Sequence, residues 1–212
     1  MCLQAATWAA AGLRVNLASR DAEKAAGIVS QILSATGYRG RGGENTPPLK
    51  DAASLSLRGV GYEEALAASN VIILATPFPV TAELITSYRF DNHFMNVCTC
   101  SNCSHRTLLS GKIIIDMTNP FYSGNGLPRN CGFDSAIELH RSILDDSTSK
   151  WATGYKDIMW TKIVPGSHNV KMTTCGDAEA KHVITSIALA HGFSPLDRGG
   201  FEAASVLEPG RR

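Results

Sequence analysis

A serine, an arginine and a lysine near the start of the chain have the side chains that bind phosphate. Ser19 and Arg20 follow an apolar run, and Lys24 comes about one helical turn later. A hydroxyl, a planar guanidinium and an ammonium beside a helix N-terminus suit a phosphate group. In a dinucleotide-binding sheet, an arginine at the end of the second strand accommodates the 2′-phosphate of NADP, whereas an acidic residue accepts the ribose hydroxyl of NAD. The alternative is a solvated helix cap that binds no ligand.

A second group of candidate ligands lies further along the chain. Cys98, Cys100, Cys103 and His105 offer three thiols and an imidazole, which can bind zinc tetrahedrally. Structural zinc sites usually take two ligand pairs from separated segments, and the C-x-C-x₂-C-x-H spacing lacks the usual C-x₂-C pairs. A loop insertion without a metal is therefore the favoured interpretation. A metal or redox site is the alternative.

Two short turns each follow an apolar, β-branched run. The first is Ala75-Thr76-Pro77 and the second is Asn119-Pro120. Proline in such turns also has a purely structural explanation, because it lacks an N–H donor and stops a strand. The chain shows no Ser-His-Asp or Cys-His arrangement that favours nucleophilic catalysis, so the catalytic residues are left unassigned.

The elements that must position these residues alternate between strands and helices. Strands are predicted at 13–18, 57–60, 71–75, 112–117, 170–175 and 193–197. Helices are predicted over 22–33, 62–68 and 201–207, and others begin near residues 80, 134 and 177. Asp21, Asp134 and Asp177 are expected to cap helices at their N-termini. Gly12 and Gly192 stand where a helix ends.

Burial can be predicted for three of these segments. The run 71–75 is typical of a strand buried on both faces. The segment 170–175 alternates like a half-exposed strand. His140 shares a helix face with Ile137 and Leu144, and we expect it at the boundary of the core rather than as a ligand.

Strands that alternate with helices at this spacing predict βαβ units and a Rossmann-like, doubly wound α/β fold with a mostly parallel sheet. Ligands bind such sheets at the carboxyl ends of the strands, which is where the serine–arginine pair and both proline turns are placed. One domain is expected over 1–212, with loop insertions near 37–50 and 91–106.

The composition excludes several classes of protein. The chain has 212 residues, with 20 Lys+Arg against 19 Asp+Glu and a formal net charge of +1. Such a balance argues against a nucleic-acid or membrane-surface protein, which usually carries a basic excess. No apolar run approaches the roughly 20 residues of a membrane span. The N-terminus has no basic region ahead of an apolar one, as a signal peptide would, so we expect a cytoplasmic protein.

Four segments carry a resemblance to a known family. They are 17–25 (LASRDAEKA), 68–77 (ASNVIILATP), 111–120 (GKIIIDMTNP) and 175–208 (CGDAEAKHVITSIALAHGFSPLDRGGFEAASVLE). In this order they resemble the coenzyme F420-dependent NADP oxidoreductases and the similar cytosolic domain of the STEAP metalloreductases. The resemblance covers roughly half of the chain.

The resemblance implies that NADP is the cofactor and that Ser19 and Arg20 hold its 2′-phosphate, with Lys24 nearby. It also implies that the turn 75–77 lies along the dinucleotide and that the turn 119–120 approaches the nicotinamide. Lys156 departs from the family pattern, which has a neutral polar residue there. The resemblance therefore predicts the cofactor but leaves the electron acceptor open. A second departure is the N-terminal G-x-G-x-x-G loop, which the family has and this chain lacks, so the first strand is expected to be truncated.

The sequence thus predicts an NADP(H)-dependent oxidoreductase, or a fragment of one. Its acceptor is expected to be a flavin-like or deazaflavin-like ring or a small organic molecule, because hydride transfer to such a ring needs no obligatory acid or base. No nucleic-acid or membrane partner is expected, and a homodimer is compatible with the sequence. The alternative is a dinucleotide-binding or interaction module that has lost turnover together with its glycine loop.

Overall fold

The structure is a computed structural model that describes residues 2–34, 54–89, 107–120, 127, 131–159, 162–163, 168–190 and 192–208. The chain forms two compact units. The first comprises Met1–Ser69, Ile158–Met172 and Ser186–Pro195, and the second comprises Asn70–Asp157, Thr173–Thr185 and Leu196–Arg212. The predicted loop insertions at 37–50 and 91–106 lie outside the described residues.

The first unit is built around two parallel strands. In chain order its elements are α1 (Cys2–Ala10), β1 (Val15–Ser19), α2 (Ala22–Leu33), β2 (Leu57–Gly61) and α3 (Tyr62–Ala68). Strands β1 and β2 run parallel and in register from Val15 beside Leu57 to Ser19 beside Gly61. Buried aliphatic side chains from α1, α2 and β2 form the core of this unit: Ala5, Ala6, Ala9, Val29, Ile32 and Leu57.

Helix α1 ends at Ala10, and Gly12 occupies the predicted helix-ending position just after it, with a φ of +88°. The Gly12 N–H donates to Ala9 O at 3.0 Å, and the Leu13 N–H donates to Trp8 O at 3.1 Å. This pair of hydrogen bonds is the Schellman ending, which requires a left-handed residue and therefore favours glycine. It turns the chain directly into β1.

A second glycine lets α2 pack closely on β2. A Cβ atom on Gly59 would lie 2.3 Å from the backbone carbon of Ala25 and 2.3 Å from the backbone nitrogen of Ala26. Backbone atoms cannot move aside as a flexible side chain can, so this position requires glycine.

The second unit contains a parallel sheet in the order β3-β4-β5. Its elements are β3 (Val71–Leu74), α4 (Phe78–Arg89), β4 (Ile113–Asp116), α5 (Ala136–Leu144) and β5 (Lys150–Thr153), and near the end of the chain a 3₁₀ helix (Phe201–Ala203) and α7 (Ala204–Leu207). Three further elements extend across the boundaries of the two units: β6 (Lys171–Thr174), α6 (Ala178–Ala190) and β7 (Ser194–Asp197). Strands β6 and β7 pair with each other.

Two burial predictions for strands were wrong. In β3, Val71, Ile72 and Ile73 are only half-buried, because within the described residues β3 is paired on one side only, by β4. In β6, by contrast, Thr173 and Thr174 are buried instead of alternating with exposed positions. Their hydroxyl groups donate to Asp157 Oδ2 at 2.6 Å and to Thr153 O at 2.7 Å. These hydrogen bonds offset the free-energy cost of burying the hydroxyls.

The predicted cap of α5 was also wrong. The N-cap position is Ser135 rather than Asp134, and the side chain of Glu138 turns back to accept from the Ser135 hydroxyl at 2.8 Å. The first N–H of the helix, that of Ala136, donates to Glu208 Oε1 at 2.8 Å. A residue from the far end of the chain thus replaces the expected local cap.

Within the described residues, no helix has the length and apolarity that a membrane span requires.

Candidate functional site

The predicted phosphate-binding residues lie at the carboxyl end of β1. Ser19 is the last residue of that strand, and its Oγ accepts the Asp21 N–H at 3.4 Å. Asp21 caps α2 as predicted, since its Oδ1 accepts the Lys24 N–H at 3.0 Å. The strand therefore passes into the helix through a short capped turn that presents Arg20 to solvent.

The donors at this turn fit an anionic phosphate. Arg20 and Lys24 are both exposed, and within the described residues neither forms an ion pair. These two cations and the Ser19 hydroxyl lie beside the N-terminus of a 12-residue helix, where the acidic Asp21 and Glu23 also lie, and they are a donor set for a phosphate monoester. The 2′-phosphate of NADP is such a group, so the residues present fit this cofactor.

The two proline turns follow neighbouring strands of the second unit. Strands β3 and β4 are parallel, with Leu74 beside Asp116, so the turns 75–77 and 119–120 lie at the same edge of the sheet. The hydroxyl of Thr76 is hydrogen-bonded to that of Thr81, and the Thr81 N–H donates to Pro77 O at 3.0 Å. Thr76 therefore helps to begin α4, which is a structural role.

A buried carboxylate ends β4. Asp116 is 0% exposed, and its Oδ1 accepts both the N–H and the hydroxyl of Thr118, each at 2.7 Å. Its Oδ2 lies 2.8 Å from Nδ1 of His140, which is also 0% exposed and comes from α5. The predicted boundary position of His140 was therefore wrong, because the imidazole has a carboxylate partner inside the core.

A buried ammonium and a second carboxylate complete this group, which we call the buried polar cluster: Asp116, His140, Lys156 and Glu208. Lys156 Nζ lies 2.8 Å from Glu208 Oε1 and 3.6 Å from Asp116 Oδ1. The lysine side chain is 1% exposed and that of Glu208 is 0% exposed. Asn119, from the second proline turn, donates through Nδ2 to Lys156 O at 3.3 Å and so joins the cluster to the edge of the sheet.

The pKa values of the two carboxyl groups of the cluster are shifted in opposite directions. Burial raises the pKa of Asp116, but Lys156, His140 and the hydrogen bonds from His140 and Thr118 outweigh it, so the net pKa lies well below 3.8. For Glu208, burial is the dominant cause and raises its pKa, although Lys156 opposes the rise. Asp116 is therefore ionised, whereas Glu208 takes up a proton more readily than an exposed glutamate.

The lowered pKa of Asp116 predicts that the free energy of unfolding depends on pH in the acid range. Because its folded-state pKa lies below 3.8, the carboxylate stabilises the fold above that pH and loses this contribution as the pH falls further. We expect the free energy of unfolding to fall more steeply between about pH 4 and pH 2 in the wild type than in Asp116→Asn, as measured by urea titration. The raised pKa of Glu208 has the opposite sign, since its contribution is present at low pH and is lost as the pH rises. Equal slopes for the two proteins would contradict the prediction.

Each member of this cluster has its own signal in the sequence, but no sequence pattern joins the four. An acidic residue ends the apolar run of β4, and a histidine lies on an apolar helix face. In the sequence, Lys156 is marked only as a departure from the resemblance, and Glu208 only as the last residue of the segment 175–208. Their partners are 24 and 52 residues away, so no local spacing could pair them.

The alternative metal site stays untested. Cys98, Cys100, Cys103 and His105 lie outside the described residues. Within the part of the chain that the structure describes, no three His, Cys, Asp or Glu residues are arranged to hold a metal ion.

The parallel strands and the helices that connect them define a Rossmann-like α/β fold, and comparison with solved structures agrees with it. The chain is similar over its whole length to a hypothetical protein, SMa0349, from Sinorhizobium meliloti (TM-score 0.68, 17% identity, 86% of that chain). It is also similar to a protein described as an F420-dependent NADP-reductase from Arthrobacter sp. FB24 (TM-score 0.59, 18% identity, 96% of this chain and 82% of that one). An imine reductase from Pseudomonas sp. gives a TM-score of 0.58 at 20% identity, over 95% of this chain and 52% of that one. The predicted fold class is confirmed.

One curated protein is related in sequence. The metalloreductase STEAP3 of Rattus norvegicus is 28% identical over 147 residues, which are 69% of this chain but only 26% of that protein. The chain thus matches about a quarter of the metalloreductase. No protein-family model matches the chain. Together, the comparisons show a Rossmann-like fold and a sequence similarity to part of a metalloreductase.

Proposed function

We propose that this protein is an NADP(H)-dependent oxidoreductase that passes a hydride to a flavin, a deazaflavin or a small organic acceptor. The observation that carries the proposal is the exposed pair Arg20 and Lys24 beside the Ser19 hydroxyl, two cations that form no ion pair within the described residues. The similarity to a metalloreductase and to a protein described as an F420-dependent NADP-reductase supports it. Cytoplasmic location and a homodimer stay predictions.

In this proposal each group of residues contacts a different part of the cofactor. The cofactor supplies the hydride, and the protein supplies binding and orientation. Ser19, Arg20 and Lys24 bind the 2′-phosphate, and the turns 75–77 and 119–120 contact the dinucleotide. The proposed acceptors include flavins and small organic molecules as well as deazaflavins, because the buried ammonium of Lys156 replaces the neutral residue expected from the family resemblance.

The experiment that tests the proposal compares NADPH with NADH. Arg20→Ala is expected to weaken NADPH binding about 10-fold to 100-fold, the size of one or two lost charged hydrogen bonds, and to change NADH binding about twofold at most. Nicotinamide fluorescence titration measures both dissociation constants. Arg14→Ala is the matched control, since Arg14 is also exposed and lies just before β1.

Two outcomes would contradict the proposal. One is equal, negligible binding of NADPH and NADH by the folded wild-type protein. The other is an equal loss of both cofactors in Arg20→Ala, which would separate Arg20 from the 2′-phosphate. NADPH binding without oxidation by any flavin or deazaflavin would favour the non-catalytic alternative.

A further inference from the structure

The buried polar cluster contains polar atoms that lack a partner. In the described residues of the second unit, three buried side-chain atoms form no hydrogen bond: Nε2 of His140, Oε2 of Glu208 and Oδ1 of Asn119. Two belong to the cluster, and the third belongs to the residue that joins it to the sheet edge. Buried polar groups are nearly always paired, and exceptions indicate a functional site or an unseen partner.

The charges of the cluster do not balance without a further proton. Asp116 and Glu208 contribute two negative charges when ionised, and Lys156 contributes one positive charge. All three side chains are at most 1% exposed, so a net charge of −1 would be buried at considerable cost. One additional proton, on His140 or on Glu208, makes the cluster neutral.

We propose that the buried polar cluster is a binding site for one proton and that it delivers this proton to the electron acceptor during reduction. This inference rests on the proposed oxidoreductase function and assigns the source of the proton in that reaction.

The unpaired atoms are the places where the proton would reside. Asp116 does not hold it, because its Oδ1 accepts two hydrogen bonds from Thr118 and the pKa of the carboxyl is lowered. A protonated His140 keeps Nδ1–H on Asp116 and presents Nε2–H, whereas a protonated Glu208 keeps Oε1 on Lys156 and presents Oε2–H. In either case the extra hydrogen is on an atom without a partner in the described protein. Such a hydrogen can be transferred without breaking an internal hydrogen bond.

Among the described residues, every ion pair of the cluster joins two of its own members. Helix α4 packs the Phe78 ring 5.2 Å from the ring of His140. The residue after β6 is Cys175, a buried thiol whose pKa is raised by burial and which therefore stays neutral. Helix α5 also carries Arg141, whose guanidinium lies 3.7 Å over the ring of Phe201.

The position of the cluster suits proton delivery. Asp116 is the last residue of β4, and Asn119 follows in the turn at the carboxyl edge, where ligands of parallel sheets bind. In the proposed reaction the acceptor takes a hydride, with its electron pair, from NADPH and a proton from the cluster. The reaction oxidises NADPH to NADP⁺ and reduces the acceptor by two electrons. The cluster, left with a net charge of −1, then takes a proton from water.

The first test counts the proton in the wild-type protein and needs no variant. In protein with ¹⁵N-labelled histidine and ¹³C-labelled glutamate side chains, NMR at about pH 7 reports the protonation state of each group. We expect either a doubly protonated His140 ring or a protonated Glu208 carboxyl, but not both. His140→Asn and Glu208→Gln assign the signals. A neutral His140 ring together with an ionised Glu208 would overturn the proposal, and so would protonation of both.

The second test removes the proton holder that the spectra identify. His140→Asn keeps an N–H for Asp116 without a titrating ring, and Glu208→Gln keeps an oxygen for Lys156. The matching variant is expected to lower kcat about 100-fold or more with benzaldehyde as a small organic acceptor, because its oxygen must take up a proton on reduction. The variant is also expected to abolish the fall in rate toward high pH, while NADPH binding stays within about twofold. His168→Asn, at an exposed histidine, is the control and keeps the wild-type profile.

The outcomes separate this proposal from the one on which it rests. An unchanged kcat and pH profile in the matching variant would overturn proton delivery and leave the oxidoreductase function intact. A folded wild-type protein that binds neither nicotinamide cofactor would contradict both the function and the delivery step. The NMR result would then decide the one-proton site by itself.

Discussion

Lys156→Met is expected to lower the free energy of unfolding by about 3–5 kcal/mol, the usual cost of removing one partner from a buried ion pair. Lys156 Nζ lies 2.8 Å from Glu208 Oε1 and 3.6 Å from Asp116 Oδ1. Methionine fills a similar volume, so the loss reports charge rather than packing. Glu208 would remain buried without its counter-charge. Urea titration at about pH 7 measures the change.

Two further variants control this prediction. Arg58→Met breaks an ion pair of similar length, 2.7 Å to Glu64, but both side chains are more than half exposed (67% and 52%), so we expect a loss below about 1 kcal/mol. The double variant Lys156→Met/Glu208→Gln removes the unpaired carboxylate and is expected to regain at least about 1 kcal/mol. A Lys156→Met variant as stable as Arg58→Met would show that the buried pair contributes little.

Gly59→Ala is expected to cost about 3 kcal/mol, at the upper end of the range for overpacking. The new Cβ would lie 2.3 Å from two backbone atoms of α2 and 2.4 Å from a third, the oxygen of Ala25. No rotamer change can relieve a clash with backbone, so α2 must move away from β2. That movement would disturb the contacts of Val29 and Ile32 in the core of the first unit.

Gly27 provides the matched control within α2. A Cβ there meets nothing within 4 Å, and the residue is exposed in the helix interior. Gly27→Ala is therefore expected to raise the free energy of unfolding by about 0.5–1 kcal/mol, because alanine loses less backbone entropy in a helix. If Gly59→Ala were as stable as Gly27→Ala, the close approach of α2 to β2 would be wrong.

Much of the fold could be predicted because its signals are local. Helix α3 begins at Tyr62 and ends at Ala68 as predicted, and Asp21 caps α2 through its own side chain. Gly12 ends α1 with a positive φ that glycine adopts without strain. Each of these features depends on residues within about one helical turn, which a single sequence contains in full.

The errors arose where distant residues decide burial. The threonines of β6 are buried because Asp157 and Thr153 accept hydrogen bonds from their hydroxyls. The sequence of the strand itself gives no indication of these partners. Helix α5 was expected to use Asp134, but its first N–H is satisfied by Glu208, 72 residues later. The candidate phosphate site was predictable because Ser19, Arg20 and Lys24 are neighbours in sequence, whereas the buried polar cluster was not.

The long separations within the cluster have a consequence for the order in which the protein forms. Glu208 is 52 residues from Lys156 and 72 residues from Ala136, and contacts across such distances form late, because loop closure precedes any gain from them. During synthesis, Asp116 and Lys156 leave the ribosome long before Glu208 does. Until then Lys156 lacks its principal partner, and burying its unpaired ammonium would be unfavourable, so the surrounding core stays open to water. The closing of the second unit is therefore expected to follow the arrival of its last helical turn.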